Sequence, residues 1–114
     1  MPPAPDQRRL TQRAEFLRVA AKGKKVAVHG LVLQALLRGD DTGPRLGFTV
    51  TKKVGNAVIR NRTRRRLRAA ARLVLQDISA AGYDLVLIGR DTTRGRPFGQ
   101  LVDDFRRALA KSAT

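Results

Sequence analysis

The apolar positions of this 114-residue chain fall into blocks whose spacing switches between helical and extended periods. Thr11 is a good N-cap, and Gly23 a good stop, for a first helix running to about Lys22. Ala14, Leu17 and Ala21 are expected on its inward face, with Phe16 beside them. Residues 25–29 read as a short strand that Gly30 breaks. Leu31–Leu37 is apolar, is bounded by Gly30 and by the turn-rich stretch 38–44, and has the length of a strand. Residues 45–51 alternate, with Leu46, Phe48 and Val50 on one face and Gly47, Thr49 and Thr51 on the other. The first face meets a core. The second is small and polar and leaves room for a ligand.

The second half begins with Asn56, an N-cap for a long helix reaching about Ala80. Ile59, Thr63, Leu67, Ala70, Val74 and Ile78 recur at helical spacing and fill one arc. Arginines fill most of the remainder, with Arg60, Arg64, Arg68 and Arg72 in a stripe at every fourth position. Gly82 ends this region, Tyr83–Gly89 reads as a buried strand, and 90–96 is a polar loop. A third helix over 97–111 turns Phe98, Leu101, Val102, Phe105 and Leu109 inward. Residues 1–9, with three prolines, read as a flexible tail, which leaves 10–114 as a single domain. The element order α-β-β-β-α-β-α describes an α+β fold, a four-stranded mixed sheet packed with three helices.

Charge changes the picture most. The formal net charge is +15, while a hydrophobic fraction of 42% is ample for folding, so the charge decorates a globule. Between 52 and 72 stand nine basic residues and no acidic one. Like charges one helical turn apart repel, so a one-sign stripe of this kind points to a polyanionic partner, nucleic acid. Arginine outnumbers lysine 18 to 6, which suits bidentate phosphate recognition. The chain has no cysteine, which excludes disulfides, zinc knuckles and thiol nucleophiles. Residues 1–9 lack the apolar core of a secretory signal and no apolar run reaches membrane length, so a cytoplasmic protein without membrane contact is expected.

Candidate chemistry is sparse. His29 stands alone and reads as structural. Asp103 and Asp104 are expected to pair with Arg106 or Arg107, and Asp40 and Asp41 sit in a loop. No nucleophile–base pair, phosphate-binding glycine loop or metalloprotease motif is present, so the protein itself is expected to do no chemistry. Asn61, between Arg60 and Arg62 in a first helical turn, could reach a phosphate, a ribose hydroxyl or a hydrated metal ion, or simply face solvent. Phe16 could stack on a single-stranded base or pack on the sheet.

Residues 45–62, RLGFTVTKKVGNAVIRNR, closely resemble the signature of the bacterial ribonuclease P protein component. Arg9-Leu10 with Glu15-Phe16, and Gly82-Tyr83-Asp84-Leu85-Val86, resemble the same family at its first helix and last strand. The resemblance implies a ribosomal protein S5 domain 2-like fold with a left-handed β-α-β crossover, where general rules favour the right hand. It implies a protein subunit of an endoribonuclease that removes the 5′ leader of precursor tRNA. The catalytic RNA would hold the magnesium, with none bound tightly by the protein, and no obligate protein partner would be needed. Lys53, Arg60, Asn61, Arg62, Arg64, Arg65 and Arg68 map onto the surface for the catalytic RNA. Phe16, Gln34, Thr49, Thr51, Lys52 and Arg90 map onto a cleft for the leader, although strand parity sets Lys52 opposite Thr51.

Two positions depart from the family pattern. Ala20 replaces a second aromatic one turn after Phe16, and Gln34 replaces an aromatic on the second strand. Stacking on the leader would then be weaker and phosphate contacts would carry more of the affinity, with steep salt sensitivity. A structural RNA-binding protein of ribosomal type would share the charge and a similar fold. A helix-turn-helix DNA binder is disfavoured, because strands surround the basic helix.

Overall fold

The structure, a computed structural model, describes residues 8–113. Its elements are β1 (Arg8–Arg9), α1 (Arg13–Lys22), β2 (Lys24–Ala27), β3 (Leu31–Leu37), β4 (Arg45–Thr49), α2 (Ala57–Asp77), β5 (Tyr83–Gly89), a single 3-10 turn (Asp91–Thr93) and α3 (Phe98–Ser112). Residues 1–7 of the tail foreseen over 1–9 lie outside the described residues, and Arg8 and Arg9 form a two-residue strand parallel to β4. Four longer strands make the mixed sheet, which with β1 runs β1-β4-β5-β3-β2. The parallel neighbours β4 and β5 are joined through α2, whereas β2, β3 and β5 pair antiparallel.

The sheet is covered on both faces, which explains why β5 is apolar nearly throughout. Leu31, Leu33, Ala35, Leu46, Leu85 and Leu87 turn to one face, against Leu67, Ala70 and Val74 of α2 and Leu101 and Phe105 of α3. Val86 turns to the other face, where Val19 and Leu10 complete a smaller core with Phe16 packed against it. The apolar arc foreseen for α2 is the one that packs, with Leu67, Ala70 and Val74 fully buried.

Four inward assignments, one cap and one ion pair are corrected. On α1, Ala14, Leu17 and Ala21 are exposed and Val19 is the buried residue, because a lone helix on a narrow strip of sheet buries only the stripe through Phe16 and Val19. The helix is capped at Gln12 and not Thr11: Glu15 Oε1 accepts from the backbone N–H of both, at 2.9 and 3.1 Å. Phe98 is 38% exposed at the first turn of α3, one turn before the helix reaches the sheet at Leu101. Asp104 does not join its neighbouring arginines. It is fully buried and pairs with Arg96 at 2.8 Å, while Arg106 reaches Asp77.

Asp84 organises the other end of the sheet. Its buried carboxylate accepts from Arg38 Nη1 at 2.7 Å and from Arg45 Nε and Nη2 at 2.8 and 2.7 Å. Arg45 also donates to Glu15 at 2.8 Å, which ties α1 to the sheet. Burial pushes the Asp84 carboxyl up, but the hydrogen bonds and charges of Arg45 and Arg38 outweigh it and leave the carboxyl below its ordinary value of 3.8.

A group with a depressed folded-state pKa stabilises the fold above its unfolded pKa and loses that contribution as pH falls. Asp84→Asn should therefore cost about 3–5 kcal/mol at neutral pH, the usual effect of leaving buried charges unpaired. The gap from wild type should shrink below the ordinary carboxylate pKa, at about pH 4 and under. Urea unfolding at pH 7 and pH 3 checks both statements, and a gap that is constant with pH contradicts the second.

Candidate nucleic-acid interface

Beyond Leu46 the outer edge of β4 has no strand partner among the described residues. A groove of about 500 Å³ lies along that edge, walled by Arg13, Phe16 and Leu17 of α1, Phe48 and Thr49 of β4, and Arg64 of α2. Phe16 is half-buried and lies directly over Gly47: a Cβ at that position would come within 2.4 Å of the ring's Cε1. Glycine is thus what lets the Cε1–Cζ edge of the ring come down on the strand while the side chain stays at the groove. Leu17 adds an exposed apolar side chain beside it, and among the described residues no carboxylate lines the groove.

The residues assigned to the leader are only partly together. Phe16 and Thr49 share the groove. Gln34 pairs with Val86 and so shares the α1 face of the sheet, but it stands on β3, two strands from β4, and does not line this groove. Thr51 and Lys52 are exposed in the turn after β4, which ends at Thr49, so the parity conflict at Lys52 does not arise. Arg90 follows β5, and its Nη1 donates to the Val28 carbonyl at 2.7 Å.

A second groove, of about 530 Å³, is lined by Val58, Asn61, Arg64, Arg65 and Arg68. The Asn56 side chain starts the helix beneath it by accepting from the Ile59 N–H at 3.0 Å. Asn61 Oδ1 accepts from Arg64 Nη1 at 2.7 Å and so orients a guanidinium that walls both grooves. Arg68 lies 5.5 Å from the centre of the Phe48 ring. Burial, then the like charges of Arg9, Arg72 and Arg64, lower its pKa. Arg60 and Arg68 each bury an Nε with no hydrogen-bond partner. Lys53, Arg62 and Arg65 are exposed.

Among the described residues, none of Lys52, Lys53, Arg60, Arg62, Arg64, Arg65, Arg68 and Arg72 forms an ion pair. The acids that do pair hold Arg38, Arg45, Arg96 and Arg106. Also among the described residues, no group of three His, Asp or Glu is placed to hold a metal ion, and no helix is long and apolar enough to cross a membrane.

Arg13 and Val58 line these grooves without standing among the residues assigned to RNA, and Leu17, expected inward, does so too. Val58 carried a signal, since the helical arc takes Ile59 inward and so must leave its neighbour out, and it is 76% exposed amid arginines.

A positively charged helix face beside an aromatic groove has the charge and the rings that a polyanion with unstacked bases would require. Comparison with known proteins gives the family. The sequence profile of the family described as Ribonuclease P matches residues 4–113. The chain is 64% identical over 104 residues to the ribonuclease P protein component of Gluconacetobacter diazotrophicus, covering 91% of this chain and 90% of that one. It is 52% identical over 105 residues to that of Ruegeria pomeroyi, covering 90% and 83%. Among solved structures, the RNase P protein from Thermotoga maritima superposes with a TM-score of 0.79 at 28% identity, covering 92% of this chain and 97% of that one. The Staphylococcus aureus RNase P protein gives 0.77 at 29% identity, covering 93% and 97%. The chain belongs to the ribonuclease P protein family.

Proposed function

We propose that this chain is the subunit of ribonuclease P that binds the catalytic RNA through α2 and the 5′ leader of precursor tRNA in the groove between α1 and β4. The observation that carries the reading is the partition of charge: the acids that form ion pairs hold arginines off the basic face, and among the described residues the cations of that face form none. Such a face gains most from phosphate, because counterion release and charge neutralisation act together. Lys53, Arg60, Asn61, Arg62, Arg64, Arg65 and Arg68 would meet the catalytic RNA. Asn61 acts there partly by orienting Arg64.

In the groove, Phe16 offers a ring face to a base and Thr49 a hydroxyl, with Arg13 and Arg64 for phosphates. Gln34, Thr51, Lys52 and Arg90 extend this side of the protein and would follow the strand as it leaves. Cleavage of the leader would occur in the RNA subunit with its magnesium. The protein raises affinity for leader-bearing substrate and screens backbone charge so that magnesium binds the RNA more readily. It would act in the cytoplasm and without another protein.

Reconstitution with a catalytic RNA transcript at low magnesium tests this. Added protein should accelerate removal of the leader, and an unchanged rate rejects the reading. Arg65→Ala should weaken holoenzyme assembly by about 1–3 kcal/mol, the range for a desolvated charge-assisted contact. Phe16→Ala should spare assembly and reduce the preference for leader-bearing over mature tRNA. Gly47→Ala, which drives the same ring off the strand, should act in the same direction. Equal losses on both substrates would remove the groove from the leader site.

A further inference from the structure

Arg66 stands in the middle of the basic run, yet its guanidinium turns into the protein. Nη1 donates to the carbonyls of Thr93 at 2.6 Å and Arg94 at 3.2 Å, and Nη2 donates to the carbonyl of Arg96. A planar fork of donors suits three converging carbonyls in a way that a lysine ammonium would not. The segment it grips is anchored on other sides as well. The Thr92 and Thr93 hydroxyls donate to the carbonyls of His29 and Gly30 between β2 and β3. Arg96 pairs with the buried Asp104 of α3.

One further contact leads back to the RNA-binding face. Arg94 Nη1 donates to the carbonyl of Val54 at 3.1 Å. Val54 is 2% exposed, follows Lys52 and Lys53, and lies two residues before the Asn56 cap of α2. Arg66 thus fixes the backbone that presents Arg94, and Arg94 holds the turn from which α2 starts.

We propose that Arg66 is not a ligand of RNA but a positioning residue, which through Arg94 and Val54 sets the turn carrying Lys53 and the start of the helix carrying Arg60. The inference rests on the reading that this face binds the catalytic RNA. It separates one arginine from eight neighbouring cations that composition alone treats as equivalent.

The experiment measures the affinity of full-length protein for a catalytic RNA transcript across a salt series, well below each variant's melting temperature. A phosphate ligand removed should lower the slope of log affinity against log salt by about 1, and Arg65→Ala is the reference for that behaviour. Arg66→Ala should weaken binding about tenfold with the slope of wild type. Arg94→Ala should reproduce much of that loss with an unchanged melting temperature, and the Arg66→Ala/Arg94→Ala double variant should bind no more weakly than Arg66→Ala. A slope that falls in Arg66→Ala as it does in Arg65→Ala makes Arg66 a ligand and overturns the proposal. A lowered melting temperature with wild-type affinity reduces it to a brace and also overturns it. Should Arg66→Ala fail to fold, Arg94→Ala decides alone, and wild-type affinity there overturns the proposal. Failure of the underlying reading is separate: wild-type protein would not bind the transcript, or Arg65→Ala would leave the slope unchanged.

Discussion

The carboxylate of Asp84 is the contact on which the arrangement of the cleft depends. It sits buried near the start of β5, the central strand, and accepts from the guanidiniums of Arg38 and Arg45. Arg38 gathers the loop between β3 and β4, with donations to Asp40, to Thr42 and to the carbonyl of Gly43. Arg45 reaches across to Glu15 and holds the first turn of α1. Removing Arg38 or Arg45 takes a partner from the buried Asp84 carboxylate, and removing Asp84 leaves the buried Arg38 with only the more exposed Asp40. With α1 held there, Phe16 can meet the strand only where the strand has no side chain, at Gly47.

This use of acids shapes the opposite end of the molecule. Nine acidic residues face twenty-four basic ones. The paired acids serve Arg38, Arg45, Arg96 and Arg106, and among the described residues none forms an ion pair with a cation of α2. A helix carrying so many like charges would be poor on its own. It is held by the burial of Leu67, Ala70, Ala71 and Val74 and by the cap at Asn56, and Arg68 offsets part of its desolvation over Phe48. Packing therefore supports a charge distribution that the isolated helix would resist.

What could be read from sequence follows the range of the forces involved. β3 and β5 lie where their apolar runs and flanking breaks placed them, and the buried arc of α2 follows its period. These depend on neighbours within a turn or a strand. The inward stripe of α1 did not follow, because Ala14 and Ala21 are apolar but short, and the narrow contact with the sheet selects Phe16 and Val19. Asp104 pairs with Arg96 in the loop before α3 and not with the arginines near it on the helix. Arg66 looks like every other arginine in its run, since the carbonyls it binds lie 27 to 30 residues further along. Periodicity locates a side chain on a face; it does not say which distant backbone meets that face.

Arg64 gives the two grooves a common wall, so they are not electrically separate. Its guanidinium is held by Asn61 from the α2 side and borders Phe16 and Thr49 on the other. A strand leaving the aromatic groove and an RNA docked on α2 would both bring phosphate toward this one cation. Each phosphate raises the local negative potential felt by the other, and Arg64, Arg68, Arg72 and Arg9 together counter it. Burial first, and then like-charge crowding, depress the Arg68 guanidinium when the protein is alone; the crowding would, on this view, be the reserve that lets two polyanions approach one small protein side by side. Of the two rings that line the groove, Phe48 packs against the core with Arg68 over it, and Ala20 and Gln34 supply no further ring beside Phe16. On the proposed reading, adherence of the leader would depend more on that shared charge than on stacking, which would tie its affinity to the occupancy of the neighbouring face.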